Sequence, residues 1–259
     1  MPEMTEYAAG TPIWVDVATS DLDGARKFYG ALFGWESEDG DPDFGGYTMF
    51  TKGGKMVAGV GPVMDPSQPV AWSTYLAVDD VDKTTEQVTA AAGQVLVPAM
   101  TINDAGRMAV YADPTGAAVG VWQPDQHRGF ELVNEPGTVV WNELATRDVD
   151  AAKAFYSAAL GLEPKASEFD DTYTTLHADG RPVAGLMNMP EGYPPQVPAH
   201  WSVYFAVEDT DATVARLTEL GGVVRMPAFD TPPGRTAVLA DPYGAVFAVI
   251  AMNPDFQTG

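Results

Sequence analysis

Cysteine is absent from the 259-residue chain. That single absence removes disulfides, thiolate metal sites, iron–sulfur clusters and cysteine nucleophiles together. Basic residues are scarce: 14 Lys and Arg stand against 36 Asp and Glu, a formal net charge of −22. A surface of that sign repels phosphate backbones and anionic bilayers, so neither nucleic acid nor membrane is an expected partner. The acidic residues are dispersed rather than gathered in a tail, which reads as a solvated charged surface. Histidine occurs only as His127, His177 and His200. No apolar run approaches the ~20 residues needed to cross a bilayer. The opening MPEMTEYAAGTP has neither a basic n-region nor an apolar h-region, so no signal peptide is read and the cytoplasm is the expected location. No glycine-rich phosphate loop occurs in strand–helix context, and no G-x-S-x-G elbow.

What is present is a long internal repeat. GTPIWVDVATSDLDGARKFYGALFGWE (residues 10–36) aligns without gaps on GTVVWNELATRDVDAAKAFYSAALGLE (residues 137–163), with 13 of 27 positions identical. KMVAGV meets RPVAGL, WSTYLAVDDVD meets WSVYFAVEDTD, and GRMAVYADPTGAAVGV meets GRTAVLADPYGAVFAV. A match of that extent is a duplicated domain rather than a short solenoid repeat. The division is a first domain at 1–123, a polar, Pro-bounded linker at 124–136 and a second domain at 137–259.

Each copy subdivides again. PIWVDVAT alternates as a strand does, and Asp21 is placed to cap a helix. Ala25, Phe28, Tyr29, Leu32 and Phe33 fall at helical spacing, and Gly34 suits the residue after the helix end. YTMF and KMVAGVG read as strands. The scheme then restarts with STYLAV, a helix over about 80–92, and the strands QVLV, RMAVYA and AAVGVW. ADPTGA and ADPYGA read as type I turns. Each copy is therefore βαβββ followed by βαβββ, an α+β architecture of curved mixed sheets with helices on one side.

In this order and duplication, Asp21, Phe28-Tyr29, Gly34, AVDDVD and Asp113-Pro114-Thr115-Gly116, repeated as Asp148, Phe155-Tyr156, Gly161, AVEDTD and Asp241-Pro242-Tyr243-Gly244, resemble the vicinal-oxygen-chelate superfamily of glyoxalases, bleomycin-resistance proteins and dioxygenases. Within it the chain is similar to two-domain actinobacterial proteins described as glyoxalase-like or hydroxylase-like. The resemblance implies paired βαβββ units curving into a cup-shaped sheet. It also implies, in the family's enzymes, a divalent metal held by His, Gln or Glu from facing strands and acting as a Lewis acid. Other members bind and sequester drugs without metal.

Carried over position by position, the metal-ligand sites of the family fall on Trp14 and Trp141, on Ser73 and Ser202, and on Gly120 and Ala248. These side chains do not hold such ions, which take imidazole, carboxylate or thiolate. No metal or other cofactor is therefore expected. His127 is expected to be solvated in the linker, and His177 to sit at the surface or be structurally satisfied. His200, one residue before Trp201, is close to a ligand position without occupying it.

Strand alternation then names the lining. Asp16 shares the face of Trp14, Glu143 that of Trp141, Tyr75 that of Ser73, Tyr204 that of Ser202, and Trp122 that of Gly120. Two expectations compete: the aromatics fill the cups as core, or they line an open pocket for a flat molecule, with Gly120 and Ala248 leaving room. Asp16 and Glu143 are the catalytic candidates. A carboxylate in such a place needs a partner, a neighbouring strand or an arginine such as Arg107 or Arg235. The Pro-rich MPEGYPPQVP is a loop, with a covering role over a cavity mouth as one reading.

The expected function is metal-free binding of a small apolar or aromatic molecule by a glyoxalase-like protein. The site residues are Trp14, Asp16, Ser73, Tyr75, Trp122, Trp141, Glu143, Ser202 and Tyr204. The alternatives are an enzyme of lyase, isomerase or oxygenase type, working through a divalent metal or a cavity carboxylate, and a protein with relic cups. A monomer with an internal pseudo-dimer is expected, with a homodimer as the other possibility. Which units pair stays open, so Trp14 shares a cup with Ser73 or with Ser202.

Overall fold

The structure is a computed structural model that describes residues 7–256 apart from 41, 66, 67, 171, 190 and 191. The first six residues of the N-terminal stretch, and residues 66–67 and 190–191 of the two Pro-containing loops, lie outside the described residues. The alternation in PIWVDVAT produces strand β1 (Pro12–Thr19). Ile13, Val15 and Val17 on one side are fully buried, whereas Asp16 and Ala18 on the other are half-buried. Helix α1 (Leu22–Phe33) follows; the Asp21 carboxylate accepts from the Gly24 N–H, and Gly34 ends the helix at φ 73°. Strands β2 (Thr48–Lys52) and β3 (Lys55–Pro62) complete the first unit. The second unit is β4 (Ala71–Ala77), α2 (Val81–Ala90), β5 (Gln94–Ile102), β6 (Gly106–Ala112) and β7 (Ala118–Pro124).

The second half repeats the plan as β8 (Val139–Thr146), α3 (Val149–Leu160), β9 (Glu163–Ala166), β10 (Tyr173–Ala178) and β11 (Arg181–Asn188), then β12 (His200–Ala206), α4 (Thr210–Glu219), β13 (Val223–Thr231), β14 (Gly234–Ala240) and β15 (Val246–Met252). The two open mixed sheets run β2-β3-β1-β4-β7-β6-β5 and β13-β14-β15-β12-β8-β11-β10-β9. In each, the two units meet edge to edge through antiparallel first strands, β1 on β4 and β8 on β12. Pairing is thus within a half: Trp14 lies opposite Tyr75 and Asp16 opposite Ser73, which settles the open register. The first sheet has one strand fewer than the plan predicts. Where β9 stands in the second half, the first keeps only a single bridge between Glu36 and Thr51. The residues that follow, SEDGDPDFGG, carry Pro and Gly that withdraw donors and favour turns over a ladder.

The repeated Phe-Tyr and Asp-Pro-x-Gly motifs join the halves. The Trp72 indole N–H donates to the Tyr29 hydroxyl (3.0 Å), which donates to Asp241 of the other half's turn (3.0 Å). The reciprocal chain runs from Trp201 to Tyr156 (2.9 Å) to Asp113 (3.1 Å). Thr74 donates to Asn142 between them (2.9 Å), and Phe33 packs on Phe205 at 5.1 Å. Helix α1 therefore serves the opposite half's turn as much as its own sheet.

Candidate functional site

Each sheet's concave face carries one carboxylate set among hydroxyls. In the first cup the Asp16 carboxylate is hydrogen-bonded by Tyr75, Ser73 and Tyr47. The Tyr47 hydroxyl donates to it at 3.3 Å and accepts from the Trp14 indole at 3.1 Å. In the second cup Glu143 accepts from Tyr204 at 2.8 Å and from Tyr173 at 2.7 Å, while Trp141 donates to Tyr173 at 2.9 Å. The same Trp–Tyr–carboxylate–Tyr chain is built twice. Burial pushes the Asp16 acid up to about 6 against the opposing pull of its three hydrogen bonds, and pushes Glu143 up for the same reason. Burial, and then the facing carboxylates, push Tyr47, Tyr75 and Tyr204 well above their ordinary range, so these hydroxyls keep their protons.

Trp14, Asp16, Ser73, Tyr75 and Trp122 fall in one cup, and Trp141, Glu143, Ser202 and Tyr204 in the other. Tyr47 and Tyr173 were not among the residues expected from the sequence. Their signal was available: TyrThr occurs at 47–48 and 173–174, at the same offset as KMVAGV and RPVAGL. Of the two partners expected for the carboxylates, the neighbouring strand supplies hydrogen bonds, through Tyr75 and Ser73 to Asp16 and through Tyr204 to Glu143, and the arginines do not. Arg107 makes a bidentate pair with Asp82 at the start of α2 (2.8 and 3.0 Å). Arg235 pairs with Asp211 at the start of α4 and with Asp230. Neither reaches a cup carboxylate, because both sit on the helix side of their strands.

Two further expectations are corrected. Gly120 does not leave room: a side-chain carbon there would overlap the ring of Tyr75, which lies across the glycine. Gly185 makes the same accommodation for the Tyr173 hydroxyl. Nor is His127 solvated. The linker returns over the first sheet, with Phe130 and Glu131 N–H groups donating to Ile13 and Met56 carbonyls. It carries His127 edge-on against Trp14 (centroids 4.4 Å) and beside Trp122 (5.4 Å), leaving it 8% exposed. Both imidazole nitrogens lack a partner, and burial lowers its pKa to about 4. The apolar ring faces outweigh the solvation of one neutral imidazole. His177 is satisfied by Thr175 and the Gly180 carbonyl, and His200 by the Pro198 carbonyl.

The cups do not fit the family's metal. Among the described residues no three His, Asp, Glu or Cys side chains gather closely enough to hold an ion. The carried-over positions present indole, hydroxymethyl and Gly or Ala, and the one carboxylate of each cup is already occupied by phenolic donors.

Comparison with known proteins gives the same frame. The "Glyoxalase/Bleomycin resistance protein/Dioxygenase superfamily" model matches residues 11–121, and the "Glyoxalase-like domain" model residues 139–250. "Putative glyoxylase CFP32" of Mycobacterium tuberculosis is 48% identical over 263 residues, covering 98% of this chain and 99% of that protein. The chain belongs to the glyoxalase/bleomycin-resistance/dioxygenase superfamily. Another relative is "Anthracycline biosynthesis protein DnrV" of Streptomyces peucetius, 41% identical over 98% of this chain and 97% of its own. Among solved structures, the Mn(II)-bound glyoxalase from Novosphingobium aromaticivorans superposes with a TM-score of 0.64 at 18% identity, covering 95% of this chain and 83% of that one. The 2,3-dioxygenase LapB from Pseudomonas sp. KL28 does so at 0.64 and 14%, covering 98% of each. These two likenesses concern the fold. No helix among the described residues is long and apolar enough to cross a membrane.

Proposed function

We propose that the protein binds a small, mostly apolar or aromatic molecule against its concave sheet faces without using a metal. One observation carries the reading: where the superfamily's catalysts place ligands, this chain builds a Trp–Tyr–carboxylate–Tyr chain, twice. The carboxylate oxygens retain lone pairs that accept a hydroxyl or amine of the bound molecule, and the rings supply flat apolar area. A relative named for anthracycline biosynthesis agrees with a flat aromatic ligand. The deep part of the first cup is filled by Trp14, Tyr75, Trp122 and His127. The reciprocal bonds between the halves join the two copies within one chain. We read the protein as a monomer acting in the cytoplasm. Titration of tryptophan emission with hydroxylated polycyclic aromatics tests the reading, before and after chelator treatment. Saturable quenching indifferent to the chelator supports it; affinity that returns only with added metal refutes it.

A second reading is favoured by Asp16 alone. A half-exposed acid raised to about 6 is suited to take and return protons near neutral pH. On this reading Asp16 is the general base of a metal-free proton transfer. Asp16→Asn would abolish turnover while leaving ligand affinity within a few-fold.

A further inference from the structure

The two cups have the same chemistry but are closed at opposite ends. In the first, the linker seals the indole end: His127 and Phe130 cover Trp14, which is 4% exposed, and Tyr75 is 9% exposed. Its Asp16 and Ser73 stay half-buried at the mouth. In the second, no comparable segment among the described residues covers the indole end. Trp141 and Tyr204 are half-buried, and at the carboxylate end Glu143 is 8% exposed beside a half-buried Ser202. The β11–β12 loop, longer than its β3–β4 counterpart, carries Tyr193, whose phenol is raised by burial and then by the Glu143 charge. Arg147 pins this loop through the Pro194 and Val197 carbonyls (3.0 and 2.6 Å). Beyond β15 the chain turns instead to pack Phe256 on Phe169, 53% exposed, in the loop before Tyr173 (4.7 Å).

We propose that the second cup is the protein's aromatic-ligand site, with Trp141 and Tyr204 as its accessible ring surface and Glu143 as the buried acceptor for a hydroxyl group of a neutral, flat ligand. The inference rests on the binding reading above and deepens it. A ring lying on Trp141 reaches inward to Glu143, whose two oxygens each hold one tyrosine hydroxyl and have a lone pair left. An anionic ligand is disfavoured, because it would bring a second negative charge beside a buried carboxylate. In the first cup the equivalent ring surface is already taken by His127 and Phe130, so that cup offers a polar mouth and no aromatic floor.

Two measurements on the full-length chain test this. Hydroxyl-radical footprinting with mass spectrometry needs no ligand: Trp141 and Tyr204 should label several-fold faster than Trp14 and Tyr75. Equal rates overturn the assignment of the open cup. Titration with 1,8-dihydroxyanthraquinone should show one equivalent bound. Ser202→Trp, which fills the second cup, should weaken binding by about tenfold or more, and Ser73→Trp should leave it within about twofold. Anthraquinone-2-sulfonate should bind at least about tenfold more weakly than the neutral probe. Loss of binding with Ser73→Trp but not Ser202→Trp, or two equivalents bound, overturns the proposal. Absence of uptake by the unaltered protein overturns the binding reading itself, and with it the ligand role of the cup. Because the footprint is read independently, the two failures are distinguishable.

Discussion

Replacing Asp16 with asparagine should alter how stability depends on pH, and by an amount the structure sets. Burial raises the acid from 3.8 to about 6 despite hydrogen bonds from Tyr75, Ser73 and Tyr47. Between those values the folded chain holds a proton the unfolded chain has released. Stability therefore falls as pH rises through that window, and the loss is complete above about pH 6. A rise of about two units corresponds to roughly 3 kcal/mol. Asparagine is a neutral isostere of the protonated acid and has no such transition. His127 contributes in the opposite direction: its pKa is lowered to about 4, so it removes stability as pH falls from 6.5 to 4. That term and the one from Glu143 are common to both proteins and cancel in the difference. Denaturant unfolding of both at a series of pH values from about 3.5 to 8 should show the variant gaining roughly 3 kcal/mol on the parent, with the gain confined to the acidic side of neutrality. A difference that stays constant within about 0.5 kcal/mol would mean the carboxylate is hydrated, and burial as the cause of its raised pKa would fall.

Other perturbations read other parts of the structure. His127→Leu keeps the packing against Trp14 and Trp122 and removes two unpartnered nitrogens; it should stabilise the chain by about 1–3 kcal/mol near neutral pH and weaken the loss of stability on acidification, both measurable by thermal melts. Tyr29→Phe deletes the hydroxyl between Trp72 and Asp241 and should cost about 2–4 kcal/mol in denaturant unfolding, as should Tyr156→Phe; a cost below about 0.5 kcal/mol would remove these chains from the account of how the halves are held. Gly185→Ala would drive a methyl into the Tyr173 hydroxyl, costing about 1–3 kcal/mol and releasing the Trp141 indole, a change visible in its emission.

Much of this molecule is written locally. The alternation in PIWVDVAT, the cap residues Asp21 and Asp148, the left-handed Gly34 and Gly161 and the Asp-Pro-x-Gly turns each depend on near neighbours, and duplication states each of them twice. The same alternation placed Trp14 with Asp16, and Trp141 with Glu143, on one face. What it could not supply was the second tyrosine at each carboxylate. Arginines looked suitable by charge, but Arg107 and Arg235 are on the helix side, while Tyr47 arrives from just before β2 and Tyr173 from β10, each two strands away across the sheet.

The chain's composition and repeat determined the class of fold and the absence of thiol chemistry, because these are properties of residue identity and spacing alone; the replacement of ligating residues followed from the resemblance to the superfamily. Only the tertiary structure decided that a polar-looking linker buries a histidine against two tryptophans, that glycine positions are spaces for tyrosine rings, and that twin cups close at opposite ends. Burial and hydrogen-bond partnership are set by segments remote in sequence, and a linker's composition does not record which surface it will cover.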